Sequence, residues 1–336
     1  MENKNGLPMQ FLPSMAREYL QRVADGARVG NSPTTHRILN WFCSGAITPG
    51  KFARAERLIL RHAVRAPSGE GRRRPSGLMI QLGVMEDGSP WNISLNSLAK
   101  HSLLLGASGS GKSVTLRAVI GGILEQSNDP RCPHVLAFDF KKSLRRLSAR
   151  FNEFLVIPWR LLKLNFYVPP HGVSMTDWNQ REIDRFVQIF DLREPSRAML
   201  ARLNRELYQE FRTEEAGVYP CLADLNELMA RKIHCVETPR SDKGKLETLQ
   251  NRIEGVLDRA SSVFTCAQGF PISEILKRHV LIELDGLGTD LQSYIATGIM
   301  EQTFRYYLAN GMQDHAGTLR TLLVIDEAAH LFGKEV

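Results

Sequence analysis

Apolar residues in the first 65 positions recur every three or four residues, in FLPSMAREYLQRV (11–23), HRILNWFCSG (36–45) and KFARAERLILRHAV (51–64), and predict three short helices. After residue 77 the pattern changes. GLMIQLGVMEDGSPWNISL (77–95) holds two strand-like runs about a Glu86-Asp87-Gly88 turn, which predicts a β-hairpin. Short continuous apolar runs follow at HSLLL (101–105), HVLAFDF (134–140), HVLIELDG (279–286) and RTLLVIDE (320–327). Such runs predict buried parallel strands, because a strand covered on both faces loses its polar alternation. Helical period fills the intervals: about 113–126, much of 175–263, including TDWNQREIDRFVQIFDL and KLETLQNRIEGVLDRA, and a helix around 290–309. Strand and helix in alternation predict an α/β fold, a mostly parallel sheet with helices on both faces. APSGEGRRRPSG (66–77), rich in Pro, Gly and Arg, reads as a linker. The expected organisation is a helical segment 1–65, the linker 66–77, and an α/β domain 78–336 with a helical insertion at about 175–275.

Composition narrows the class. The 336 residues are 43% hydrophobic, and no stretch approaches the ~20 uninterrupted apolar residues of a membrane span. Residues 1–30 lack the layout of a signal peptide, so a cytoplasmic protein is expected. Five cysteines (43, 132, 221, 235, 266) are scattered without a C-x-x-C, which argues against a zinc or disulfide framework. The net charge of +7 is uneven: residues 1–76 hold thirteen Lys or Arg against five acids, and the rest is nearly balanced. A basic appendage on a neutral body suggests a polyanionic partner such as DNA.

The candidate chemistry begins at GASGSGKS (106–113), which fits G-x-x-x-x-G-K-[ST] between an apolar run and an apolar-periodic helix. Its backbone N–H groups, from Gly106, Ala107, Ser108, Gly109, Ser110 and Gly111 to Lys112, Ser113 and Val114, are expected to cradle the phosphates of ATP. Lys112 would reach the β- and γ-phosphates, and the Ser113 hydroxyl would bind Mg²⁺. LLVIDEAAH supplies Asp326 and Glu327 at the end of a buried run. There the first acid would hold Mg²⁺ through water and the second would take a proton from an attacking water. A GTPase switch at Asp285-x-x-Gly288 is disfavoured, since no N-K-x-D or T-K-x-D for guanine follows.

LGVMEDGSPWNISLNSLAKHSLLLGASGSGKSVTLRAVI resembles the entry to the motor domain of FtsK-type DNA translocases, and HVLAFDFKKSL, with Asp139 and Lys141, resembles the next strand of that family. LKLNFYVPP, ETLQNRIEGVL and VIDEAAHLF, the last with Asp326, Glu327 and His330, are similar to HerA-type translocases and conjugative coupling ATPases. The resemblance implies a RecA-like P-loop domain that assembles as a ring, usually of six subunits, and hydrolyses ATP to move along double-stranded DNA. HerA proteins usually begin with a small β-barrel, where this chain has basic helices. The chain also stops ten residues after Asp326. A domain incomplete at its C-terminus is therefore expected, lacking the sensor strand, with the 101–105 strand beside the Asp326 strand and bare on its outer edge. Such a chain should hydrolyse ATP poorly by itself. Arg252 and Arg259 are candidates for an arginine inserted into a neighbouring subunit. The alternatives are an ATPase scaffold serving a defence effector (a nuclease or an NAD-consuming enzyme) or a secretion complex, and a nucleotide-gated binding module without turnover.

Overall fold

The computed structural model describes residues 13–26, 33–43, 51, 54–59, 78–99, 101–107, 109–310, 319–328 and 331. The expected linker, Ser108 and His330 lie outside them. The chain divides into two compact units, Met1–Ser76 and Gly77–Val336. In the first, α1 (Pro13–Gly26), α2 (Pro33–Cys43) and helical residues 54–59 enclose a small core of Leu20, Ala24, Leu39, Phe42, Ala55 and Ile59. Each helix contributes a pair three or four residues apart, which places both members on one face. Lys51 and Arg54 lie over the ring of Trp41, at 5.4 and 5.8 Å from its centre.

The second unit opens with the expected hairpin, β1 (Met79–Val84) antiparallel to β2 (Pro90–Ser94). Its turn is fixed by Asp87, whose Oδ1 accepts from the Ser89 N–H at 2.9 Å, and by Gly88 at φ 80°. α3 (Lys112–Leu124) packs on this hairpin so closely that a Cβ on Gly122 would lie 2.4 Å from Ile80 Cγ2. Gln126 Nε2 ties the end of α3 to Met79 O at 2.9 Å. The chain continues through β3 (His134–Asp139), β4 (Phe154–Pro158), α4 (Met175–Ile189), α5 (Glu194–Glu210), α6 (Leu222–His234), α7 (Arg240–Phe264), β5 (His279–Glu283), α8 (Thr289–Ala309) and β6 (Thr321–Ile325).

The four later strands form one parallel sheet in the order β4-β5-β3-β6. Side chains alternate between its faces. Leu136, Phe138, Val280 and Ile282 enter a large core with the helices from α4 to α8, whereas Val135, Ala137, Leu281 and Val324 meet Ile120, Ile123 and Leu124 of α3. Helices therefore cover both faces, and the fold is the mixed α/β architecture expected, consistent with a RecA-like P-loop domain.

The helical stretch between β4 and β5 is clasped at its root. Buried Asn165 donates to Pro220 O (2.8 Å) and Ala267 O (2.9 Å), and its Oδ1 accepts from the Tyr167 N–H. Leu164 N bonds Val263 O, and Phe270 N bonds Lys163 O. Inside, buried Glu182 accepts from Tyr294 of α8 and from Arg185, which also stacks over Phe166.

One local expectation needs correction. HSLLL forms no strand: residues 101–105 are irregular, and Leu103 and Leu105 are 75% and 79% exposed. A strand exists only by pairing, and β6 pairs with β3 alone, so no described ladder receives the 101–105 backbone. FLVIP, by contrast, is a strand that the apolar pattern alone did not single out. It gains its place by pairing with β5 along its whole length.

Candidate active site

The loop before α3 owes its shape to glycine. Gly109 and Gly111 have φ of 79° and 91°, which side chains other than glycine rarely adopt, and a Cβ on Gly106 would lie 2.3 Å from Ser110 Oγ. Gly111 precedes a helix start that no side chain caps. The N–H groups of the first turn thus lack a side-chain acceptor, as an anion-binding helix terminus requires. Lys112 folds over the loop, its Nζ donating to Gly106 O at 2.7 Å and Ala107 O at 2.8 Å. Ser113 is half-buried in the first turn, and Val114 is exposed. A fixed ammonium, a glycine-shaped concavity and an uncapped helix start form a donor set that fits the phosphates of a nucleotide, while the Ser113 hydroxyl and the Asp326 carboxylate offer the hard oxygens that Mg²⁺ prefers.

The acids gather at the carboxyl end of the sheet. β3 and β5 are in register at Asp139 and Glu283, and β3 and β6 at Phe138 and Ile325, so Asp326 follows one step beyond. Glu283, Asp139 and Asp326 therefore form a row across three strands. The segment after β3 ties the row together. Asp139, fully buried, accepts from the N–H groups of Lys141 (3.0 Å), Ser143 (3.1 Å) and Leu144 (2.7 Å). Lys142, at φ 55°, provides the left-handed step that turns the chain back toward Asp139. From this turn Lys141 Nζ reaches Glu327 Oε2 at 2.5 Å, Ser143 Oγ donates to Asp326 Oδ2 at 2.7 Å, and Lys142 pairs with Asp285 at 3.0 Å. The bond to Glu327 raises the pKa of Lys141. Arg117 of α3 donates to Ser143 O at 3.3 Å, which links the helix after the loop to the partner of Asp326.

The structure thus joins Lys112 to Gly106 and Ala107, and it joins Asp326 and Glu327 to the 141–143 turn. Among the described residues no hydrogen bond connects Ser113 directly to Asp326. Arg252 and Arg259 are both exposed on α7, and Arg259 lies against Gly288 just beyond β5. Sequence reasoning missed Ser143, Arg145 and Glu283. Glu283 is buried, Arg145 Nε lies 3.1 Å from its Oε1, and neither of its oxygens has a hydrogen bond with good geometry. Burial raises its pKa, opposed by Arg145. A signal was present: HVLAFD, HVLIE and TLLVID are three apolar runs, each ending in an acid.

Comparison with known proteins gives two matches. The FtsK/SpoIIIE family model matches residues 64–143, a span that includes the glycine loop and the Asp139–Ser143 turn. The DNA double-strand break repair helicase HerA of Sulfurisphaera tokodaii is 22% identical over 255 residues, covering 71% of this chain and 46% of that protein. The chain thus spans about half the length of this curated relative. No described helix is long and apolar enough to cross a membrane. Taken with the α/β sheet and the glycine loop, the two matches support assigning the chain to the FtsK–HerA superfamily of P-loop ATPases, a family of ATPase and DNA-translocase motors.

Proposed function

We propose that this chain is the nucleotide-binding part of an ATPase that couples ATP hydrolysis to movement along double-stranded DNA, working as a ring of six copies. The observation that carries the reading is the linkage of the glycine loop and its helix, through Arg117 and Ser143, to two adjacent acids at a strand end. Gly106 to Val114 hold the phosphates, Lys112 neutralises their charge, Ser113 and Asp326 hold the metal, and Glu327 accepts the proton of the attacking water. Mg²⁺ bound with ATP would balance the acids and polarise the terminal phosphate. The basic Met1–Ser76 unit supplies phosphate contacts to DNA, and Arg252 or Arg259 of a neighbouring copy supplies positive charge in the transition state.

Calorimetry with Mg²⁺-ATP tests the loop. Lys112→Ala should abolish binding while circular dichroism stays unchanged; unaltered affinity in a folded variant would refute the assignment. Duplex-stimulated phosphate release by the full-length protein tests the motor reading, and DNA affinity that does not fall with salt would count against phosphate contacts.

A further inference from the structure

We propose that copies of this chain dock head to tail, the Arg160–Leu161 knob of one copy seating in a cleft between α5, α6 and α7 of the next. This docking names the contact of the ring proposed above and rests on that reading. The cleft has a volume of about 470 Å³, within the size range of ligand-binding clefts. Its floor is apolar, made of Met199 and Leu203 of α5, Leu228 of α6 and Leu246 of α7, all buried. Its rim is charged but largely self-neutralised. Arg202 pairs with Asp242 at 3.7 Å, Arg231 with Glu210 at 2.8 Å and Lys232 with Glu206 at 2.6 Å, which accounts for every base of the lining. Glu237 is left over, exposed and without an ion pair among the described residues. A polyanion finds no unpaired base here. The complement of this cleft is an apolar side chain beside a single cation.

The turn Trp159–Leu161 supplies that complement. Leu161 is 65% exposed although Leu162 beside it is fully buried, and the exposed Arg160 lies over the Trp159 ring at 4.4 Å. Arg160, like Glu237, has no ion pair among the described residues. The turn is fixed before any contact is made: Trp159 Nε1 donates to Asp285 O at 3.1 Å, and Leu162 N to Trp159 O at 3.1 Å. A knob held in place in this way loses little entropy on docking. It cannot fill the cleft of its own copy. Lys163 Nζ and Leu164 N fasten the chain just after the knob to Ser262 O and Val263 O, near the carboxyl end of α7, whereas Asp242 and Leu246 line the cleft near the amino end. At about 1.5 Å per residue, Leu246 and Ser262 lie about 24 Å apart along that helix. Each copy therefore offers a knob at one end of α7 and a socket toward the other. A contact between unlike surfaces propagates from copy to copy, and it closes into a ring when the rotation permits.

The test is sedimentation velocity of the full-length protein over a concentration series with Mg²⁺-ATP and duplex DNA, on variants of these exposed residues. Arg160→Glu and Glu237→Arg should each weaken self-association by about three- to tenfold, and Leu161→Asp by about tenfold or more, with circular dichroism unchanged. Combining Arg160→Glu with Glu237→Arg restores the attraction with its sign reversed, and should bring association back to within about twofold of the wild type. A second readout is covalent. Cys235 lines the cleft, so Leu161→Cys treated with oxidised glutathione should give a disulfide-linked dimer whose joined peptides, read by mass spectrometry, carry positions 161 and 235. Adding Cys235→Ser should abolish that link. Association unchanged in all three single variants, with no such disulfide, overturns the docking while the ring reading stands. A charge-swapped double variant no stronger than the single ones overturns the Arg160–Glu237 pairing, and the docking with it. A wild type that stays monomeric with Mg²⁺-ATP and duplex DNA overturns the ring reading and the docking together.

Discussion

The two ends of the parallel sheet are built from the same strands and treat charge in opposite ways. At the amino end, His134 and His279 stand on neighbouring strands with ring centres 5.2 Å apart, and the ring of His279 accepts the Val135 N–H at 3.2 Å. Burial lowers the pKa of both, so this end is held together by neutral rings. At the carboxyl end, Asp139, Glu283, Asp285, Asp326 and Glu327 meet Lys141, Lys142, Arg145 and the N–H groups of one turn. Parallel strands release all their chain ends on one side, so that side alone can collect groups from distant parts of the sequence. The amino end is neutral, and the carboxyl end gathers the charged groups, where the proposed function places the chemistry.

The strongest way to break this contrast is Glu327→Gln. If Glu327 is the base proposed above, its loss should lower kcat by about 10² to 10⁴ while ATP affinity is kept, measured by phosphate release and calorimetry. Wild-type turnover would mean that the carboxyl-end acids are structural after all. Asp139→Ala should come next, destabilising the domain by about 3 kcal/mol in urea, since three backbone N–H groups would lose their acceptor. If it leaves stability intact but abolishes turnover, the turn is held by something other than Asp139.

Acid should separate the two ends. For His279 the folded pKa is lowered, so the unfolded chain binds more protons, and stability complete above about pH 6.5 is lost as pH falls through that value toward the folded pKa. For Glu283 the folded pKa is raised, so its burial lowers stability at neutral pH, and that penalty fades as pH falls toward its unfolded value of 4.5. Urea titrations between pH 4 and 8 should show His279→Gln flattening the upper limb. Glu283→Gln should flatten the lower limb and add about 1 kcal/mol at pH 7, leaving only exposed Arg145 without its partner. Equal slopes in both variants would erase the distinction. The smallest effect is expected for Lys142→Ala, whose exposed pair with Asp285 should contribute about 0.2–1 kcal/mol.

Much of this architecture was legible in the residues. The hairpin, α3, β3, β5, α8 and β6 lie close to where apolar period and turn chemistry put them, because each carries its signal within its own segment. The errors share one cause. HSLLL looks like a strand and FLVIP attracts no notice, yet pairing decides: β5 accepts Phe154–Pro158, and no described strand accepts residues 101–105. The glycine loop and the Asp326-Glu327 pair could be picked out as a candidate site from short motifs. Their connections could not, since Lys141 meets Glu327 across 186 residues and Ser143 meets Asp326 across 183, a proximity set by strand register.

The clasp at Asn165 bears on how such a domain can be rebuilt. Because Lys163, Leu164 and Asn165 bond directly to Val263, Ala267 and Phe270, the long helical excursion leaves and rejoins the chain at neighbouring points, and bridging them needs only a short linker. Excision would nevertheless strip the cover from Leu136, Phe138, Val280 and Ile282, which share one core with its helices. The excursion is therefore exchangeable in topology but not dispensable. A replacement module of any length could be spliced between residues 165 and 267, provided that it brings an apolar surface shaped to that face of the sheet.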